Sequence, residues 1–464
     1  MESPQFQESG NIEKAKIKSF HKWMTEHLGQ EEWASRRAEL LSEIRRKESS
    51  IDLRKPIEPQ LYAPPENDIN WYILAAELAW DHPYSDSNYS TRRIYPYAMT
   101  LGEHADQLRH TPNVDAVINK MLGNKSSPEN QIFELITAAH YIKNGYEVEF
   151  IPENSITWPN NSKKSPDLRA KKGFEFYVEC KRAAKQTKYS QDEEAAWGTL
   201  WESLSNHMLL SSPWHTVDIT FHCAVSEISP TDLINAYDAA LSAESAKYDL
   251  DQFSLSIQPI DKPKVLSHYE KNSVRPNCPQ HELLVFGNTD SNEKRSIATI
   301  ATDIVRPGDK DTILNIFVCD VANCAAAQWR CDHETSLERR SKHFKSLMAH
   351  AASQIPPQNL GVIHILYETR EGINVENIRR EKHLEELSEY NASDSMVLAV
   401  LIHAVNYYPK EDDYQWAETL QHFARVPNFV DTFYQDPLML GDSNTPSYVE
   451  TTHWQQDEEA KLKK

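Results

Sequence analysis

A chain of 464 residues, 39% of them hydrophobic and 25% charged, is long enough for two or three domains and has the composition of a globular protein. Its net charge of −20 argues against a protein whose whole surface coats nucleic acid, because neutralising phosphates requires Lys and Arg. There is no membrane-length apolar run, no signal-peptide pattern at the amino terminus and no disulfide framework among the six cysteines. We therefore expect a cytoplasmic protein without membrane attachment.

Residues 1–125 are expected to form an N-terminal helical domain. Charged amphipathic segments at Glu13–Leu28 and Glu31–Lys47 precede a proline-rich break, and further helices are predicted near Ile69–Trp80 and Val114–Leu122. No motif in this region indicates a chemistry.

Helices and strands alternate in residues 126–227, which we expect to form the core domain. A helix is predicted from Pro128 to Asn144-Gly145, because Pro and Glu favour its start and Gly its end. Three strands follow, of which the second and third should pair through Lys171–Gly173. The predicted strands are Tyr146–Ile151, Asp167–Ala170 and Phe174–Lys181, followed by a helix over Asp192–Leu210 and a strand over Val217–Val225.

The rest of the chain divides into three parts. Residues 228–310 indicate an insertion or a subdomain of unclear fold. Residues 311–436 again alternate strands with helices and should complete or extend the core, whereas 437–464 form a polar tail that we expect to be partly disordered. The predicted fold class is α/β, with a mixed sheet flanked by helices.

The strand Phe174–Lys181 carries the strongest functional signal. Side chains alternate across a strand, so Glu179 and Lys181 share a face, about 7 Å apart, opposite an apolar face that should pack on a helix. Buried charge is costly unless it is paired or bound to metal. The alternative is a solvent-facing ion pair on an edge strand.

Asp167 and Glu134 can join this pair. Asp167 begins the neighbouring strand after Pro166, so Asp167 and Glu179 can meet on one cation. Mg²⁺ prefers such hard oxygen ligands, and the backbone carbonyl of Cys180 is a candidate third ligand. Glu134 could reach the ion directly or through water, although it could equally be a surface residue of its helix. Lys181 could serve as a base or as an electrostatic stabiliser.

These residues resemble the motif of the PD-(D/E)xK nuclease superfamily, which includes many restriction endonucleases. The resemblance lies in Glu134 on the first core helix, Pro166-Asp167, and Glu179-Cys180-Lys181, over roughly a hundred residues of the chain. It implies a restriction-endonuclease-like fold and Mg²⁺-dependent endonuclease activity on DNA, with Mn²⁺ as a substitute. The implied catalytic residues are Asp167, Glu179, Lys181 and Glu134, of which the three carboxylates would bind the metal.

A basic window surrounds the proposed site. Lys163–Lys188 contains nine basic and three acidic residues, a net +6 in an acidic chain. Such a window is usually a solvated face, but its coincidence with the carboxylates favours contact with nucleic acid. The candidate contacts are Lys163, Lys164, Lys171, Lys172, Arg182 and Lys185.

Other candidate sites have weaker support. Cys319, Cys324, Cys331 and His333 could bind zinc, but their spacing is irregular and buried structural cysteines are the favoured interpretation. His364 and His403 are expected to be core histidines, and Trp197 and Trp201 a core face of one helix. The chain has neither a Gly-x-Ser-x-Gly elbow nor a P-loop.

The sequence therefore predicts a DNA endonuclease, and the resemblance suggests restriction or antiviral defence as its setting. The alternative is a catalytically silent nuclease-fold module that binds nucleic acid or protein. The charge of −20 also makes a homo-oligomer or a partner protein attractive, since either would concentrate basic surface.

Overall fold

The N-terminal region consists of helices that pack on one another. The computed structural model describes residues 13–440 except 66, 83–87, 124–126, 159–160, 185, 244, 290–292, 342–344, 390–395 and 411–412, together with residues 459 and 462. The first elements are α1 Lys14–Leu28, α2 Gln30–Glu48, the short 3-10 helix Glu58–Gln60, α3 Ile69–Asp81, α4 Tyr89–Arg92, α5 Tyr95–Glu103, α6 Ala105–Arg109 and α7 Val114–Leu122. The four predicted helices are confirmed as α1, α2, α3 and α7. Gly102 lets α5 approach α1, since a Cβ at this position would meet the carbonyl of Lys16.

The next segment is a helix followed by three strands, as predicted. These elements are α8 Glu129–Lys143, β1 Glu147–Phe150, β2 Leu168–Lys172 and β3 Phe174–Arg182. Gly173 closes the β2–β3 turn with a φ of 78°, a left-handed conformation that favours glycine. In β3, Phe176, Val178 and Cys180 are buried on the side of α8, because alternate residues of a strand share a face.

A long segment then separates β3 from the strand that pairs with its other edge. It contains α9 Lys188–Ser211, β4 His215–Phe221, the 3-10 helix Val225–Glu227, α10 Pro230–Ser242, β5 Lys247–Asp249, β6 Phe253–Pro259, α11 Lys262–Tyr269, α12 Pro279–Phe286, β7 Lys294–Val305, β8 Phe317–Cys331 and α13 Glu334–Arg340. The chain ends with α14 Lys345–Ala352, β9 Gly361–Glu368, α15 Ile373–Glu389, β10 Val397–Lys410, β11 Asp413–Ala424 and α16 Phe429–Phe433.

The strands form two mixed sheets, so the protein is of the α/β class. The first has the order β1-β2-β3-β9-β10-β11; β1, β2 and β3 are antiparallel neighbours, and β9 is parallel to both β3 and β10. The second has the order β5-β6-β4-β8-β7, with β4 parallel to β8. None of the described helices is long and apolar enough to cross a membrane.

One strand of the predicted core domain lies in a different sheet. The strand predicted at Val217–Val225 was assigned with β1, β2 and β3 to residues 126–227, but it is β4 and belongs to the second sheet. The edge of β3 pairs instead with β9, which enters in parallel through the register Glu179↔Ile363. Period-two patterning identifies a strand but does not identify its partner.

Hydrophobic cores show how these parts are joined. The N-terminal helices, α8 and one face of the first sheet share a single core, in which Phe20, Ile73 and Leu135 are fully or almost fully buried. The opposite face of this sheet packs on α14 through Met348 and Ala351. The tail after Pro437 falls largely outside the described residues.

Candidate metal centre

Asp167 is held against β3 by the backbone. Its N–H donates to the carbonyl of Val178 at 3.1 Å, and its Oδ2 accepts from the N–H of Cys180 at 2.7 Å. These bonds extend the β2–β3 ladder by one residue beyond Leu168↔Val178. The predicted pairing of the Asp167 and Glu179 strands is therefore confirmed, and the Asp167 carboxylate lies at the backbone of the residue that follows Glu179.

Glu179 is fully buried on the face of β3 that also carries Lys181. Its Oε1 accepts from Nζ of Lys181 and, at 2.7 Å, from Nε2 of Gln354. Its Oε2 is enclosed and has no hydrogen-bond partner among the described residues. A buried carboxylate oxygen without a partner is unfavourable and is an available ligand for a cation.

The three predicted carboxylates act on one another electrostatically. Burial, then the charge of Asp167, raises the pKa of Glu134 to about 8. The same two causes, in the same order, raise the pKa of Glu179 well above its ordinary value. Burial raises the pKa of Asp167 to about 6, even though the Cys180 N–H and Lys181 oppose the shift. Close carboxylates with raised pKa values are typical of a site that binds a cation.

The donor set fits a hard divalent cation. Carboxylate oxygens are the ligands that Mg²⁺ prefers, and a cation would relieve both the repulsion and the lack of a partner at Glu179. Within the described part of the chain, however, no three His, Cys, Asp or Glu side chains are already arranged as a metal site. At Glu179 the ammonium of Lys181 and the amide of Gln354 occupy the bonded oxygen.

Two residues that the sequence did not indicate reach this site. Gln354 comes from the turn after α14, far from β3 in sequence. Lys120 comes from α7, where it is ion-paired with Glu153 at 2.5 Å, and its charge lowers the pKa values of both Glu134 and Asp167. Neither residue belongs to a sequence motif. Only the tertiary fold brings the Gln and the Lys to this site.

The predicted nucleic-acid contacts separate into three groups. Lys163 is exposed, and Lys164 is partly buried beside the turn that carries Gln354. Lys171 and Lys172 lie at the far end of β2, about 10–13 Å along the strand from Leu168. Lys172 donates to the carbonyl of Asn144 at 2.8 Å. Lys185 lies outside the described residues.

Arg182 is not available to a ligand. Its guanidinium is 2.8 Å from Glu129 and 2.7 Å from Glu368. Arg93 contacts the same two carboxylates, and Tyr72 donates to Glu129 at 2.5 Å. This buried ion network joins the N-terminal helices to α8, β3 and β9, so its role is structural. The expectation that Arg182 contacts nucleic acid was therefore wrong.

The cysteines and histidine considered for zinc do not converge. Cys331 donates to the carbonyl of Cys223, Cys319 contacts Ser273, and His333 contacts Ser336. Cys324 is buried, and burial raises the pKa of its thiol. All six cysteines of the chain are unpaired. The interpretation as structural cysteines agrees with these contacts.

The two core histidines belong to one buried chain of hydrogen bonds. His364 lies 2.9 Å from the Tyr141 hydroxyl and 3.0 Å from His403, and His403 lies 2.8 Å from Glu418. Their prediction as satisfied core residues is confirmed. Trp197 and Trp201 stack on each other beside the second core, as a helix core face would.

Comparisons of the chain with protein-family models, with curated proteins and with solved structures gave no match.

Proposed function

We propose that this chain is a metal-dependent nuclease that hydrolyses phosphodiester bonds in DNA. The observation that carries the proposal is the electrostatic coupling of Glu134, Asp167 and Glu179, with Glu179 paired to Lys181 and Asp167 bonded to the Cys180 N–H. They come from α8, from the residue before β2 and from the interior of β3, and the fully buried Glu179 is costly to ionise without a cation. The order α8, β1, β2, β3 and the place of these residues on it agree with the resemblance to PD-(D/E)xK nucleases.

The chain's own residues account for the steps we infer. A bound Mg²⁺ would act as a Lewis acid on the phosphate and lower the pKa of a bound water. Asp167 and Glu179 would hold the ion, and the Cys180 N–H would fix the Asp167 carboxylate through Oδ2. Glu134 would orient a water on the side of α8. Lys181, which is paired with Glu179, would hold the attacking water or stabilise charge on the phosphate.

The setting remains part of the proposal. The proposed setting is restriction or antiviral defence in the cytoplasm. The six unpaired cysteines agree with a reducing compartment of this kind. A homo-oligomer or partner protein would add the basic surface that a chain of net charge −20 needs to retain DNA.

Cleavage of supercoiled plasmid and of single-stranded DNA tests the proposal. We expect cleavage by the wild type with Mg²⁺ or Mn²⁺ and none in EDTA. Glu179→Gln should abolish it, whereas Glu175→Gln, at an exposed position on the same strand face, should retain it. Equal activity of wild type and Glu179→Gln would overturn the proposal.

A second candidate is the catalytically silent module. The observation in its favour is that Lys181 and Gln354 already satisfy Oε1 of Glu179 without a metal. This candidate predicts nucleic-acid or protein binding that Glu179→Gln leaves unchanged, and no cleavage with either metal.

A further inference from the structure

The loop between β1 and β2 places Lys164 next to the candidate metal centre. The loop folds back on itself through the bridge Thr157↔Lys163 and a bond of 3.3 Å from the Lys164 N–H to the Ile156 carbonyl. Nζ of Lys164 then reaches the carbonyl of Ser353 at 3.3 Å and lies 5.5 Å from the centre of the Trp158 ring. Ser353 precedes Gln354, whose side chain contacts Glu179. Lys164 is thereby fixed on the α14 side of the site.

His350 of α14 lies beside Ser353, whose hydroxyl donates to the His350 carbonyl at 2.8 Å. It is exposed, and its pKa is lowered first by the charge of Lys181, then by burial and by the charge of Lys164. The imidazole therefore lies within electrostatic reach of both ammonium groups.

The basic groups on this side of the site are not all neutralised by carboxylates within the described residues. Lys181 is paired with Glu179, but within the described ranges neither Lys164 nor His350 has a carboxylate partner. Lys120, on the other side of the site, is paired with Glu153. The α14 side thus carries the ammonium of Lys164 without a carboxylate partner, beside the exposed His350, in a chain of net charge −20.

We propose that Lys164 and His350 form a subsite for a backbone phosphate of nucleic acid, adjacent to the phosphate that is cleaved. The inference rests on the proposed nuclease function. In this subsite Lys164 contributes a positive charge and His350 a neutral N–H donor. Both contacts are to the phosphate, and neither is to a base. The subsite therefore serves binding that does not depend on sequence.

The experiment measures binding of a short fluorescein-labelled DNA duplex by anisotropy in EDTA, over a series of salt concentrations. Lys164→Gln should weaken binding and reduce the slope of log Kd against log salt by about 1, because one phosphate contact is lost. His350→Ala should weaken binding with an unchanged slope. Lys247→Gln, a matched change at an exposed lysine of β5 in the second sheet, should alter neither quantity.

The outcomes separate this inference from the proposed function. If Lys164→Gln behaves like Lys247→Gln, the subsite is wrong even where the wild type cleaves DNA. If His350→Ala binds as the wild type does, the role of His350 is wrong. If inorganic phosphate displaces the duplex at an equal concentration of phosphate groups, the assignment to a nucleic-acid backbone is wrong. A lower slope for Lys164→Gln in a protein that cleaves nothing would leave the subsite standing and remove the nuclease.

Discussion

Arg182 and Glu368 form an ion pair of 2.7 Å between adjacent parallel strands, with side chains 5% and 0% exposed. Arg182 follows Lys181 directly but faces α8, whereas Lys181 faces α14. One strand thus carries the candidate active side chains on one face and a structural ion network on the other. The network holds β3 and β9 together at the level of the site.

Removing Arg182 should destabilise the protein strongly. Arg182→Met keeps most of the aliphatic stem but leaves Glu129 and Glu368 with fewer partners in a buried position, which should cost about 3–5 kcal/mol. Arg169→Met, at an exposed arginine of β2, should cost about 0–1 kcal/mol. Urea unfolding followed by circular dichroism measures both. Similar midpoints for the two variants would show that the network contributes little.

Divalent metal should stabilise the folded protein through the carboxylates. Binding at 100 times Kd adds about 2.7 kcal/mol to the free energy of unfolding, which appears as a rise in Tm with Mg²⁺ or Mn²⁺. Asp167→Asn and Glu179→Gln should lose this rise, and Glu175→Gln should keep it. A rise of the same size in all four proteins would place the metal elsewhere.

Glu134 should make the metal-free protein less stable as the pH increases. Its pKa is about 8 in the folded protein against an ordinary 4.5, so between these values the folded state retains a proton that the unfolded state has lost. The stability contributed by the neutral form is present below pH 4.5 and is lost as the pH rises towards 8. The Glu134→Gln variant lacks this pH-dependent contribution to the free energy of unfolding.

The comparison of wild type with Glu134→Gln isolates that effect. In EDTA, the free energy of unfolding of the wild type minus that of the variant should fall steadily from pH 5 to pH 8, as judged by urea titrations at each pH. A difference that stays constant, or that increases with pH, would contradict the raised pKa.

Gln354 should position Glu179 for the metal. Gln354→Leu removes the donor at 2.7 Å from Oε1, and the loss of such a partner of a metal ligand costs about 10–100-fold in metal affinity or activity. Gln358→Leu, at an exposed position before β9, is the matched control. Isothermal titration with Mn²⁺ gives the affinities. Equal affinities for the two variants would mean that Gln354 only fills space.

The sequence predicted those parts of the site that depend on local pattern. Alternation in Phe174–Lys181 placed Glu179 and Lys181 on one face, and Pro166 marked the start of the Asp167 strand. The same alternation could not distinguish β4 from β9 as the partner of β3, because both are short strands and the choice depends on packing of the whole chain. β11 was not predicted, because its polar residues Asp413, Gln415 and Glu418 weaken the apolar pattern by which a strand is recognised in sequence.

Charge patterns were less informative than strand patterns. The basic window predicted a surface, but Arg182 turned out to be buried, because an arginine can satisfy internal carboxylates as readily as phosphates. Lys164, Lys171 and Lys172 are close in sequence, yet the direction of β2 carries the last two away from the carboxylates. Lys120 and Gln354 reach the site through contacts of long sequence separation.

The position of β9 also affects how the protein folds during its synthesis. Glu179 and Lys181 are made early, but β3 remains an open edge until Gly361–Glu368 has left the ribosome and can pair with it. All of β4–β8 emerges in between, so the second sheet can fold before the first one closes. The late arrival of Gln354 and β9 means that a nascent chain holds the carboxylates without their final geometry.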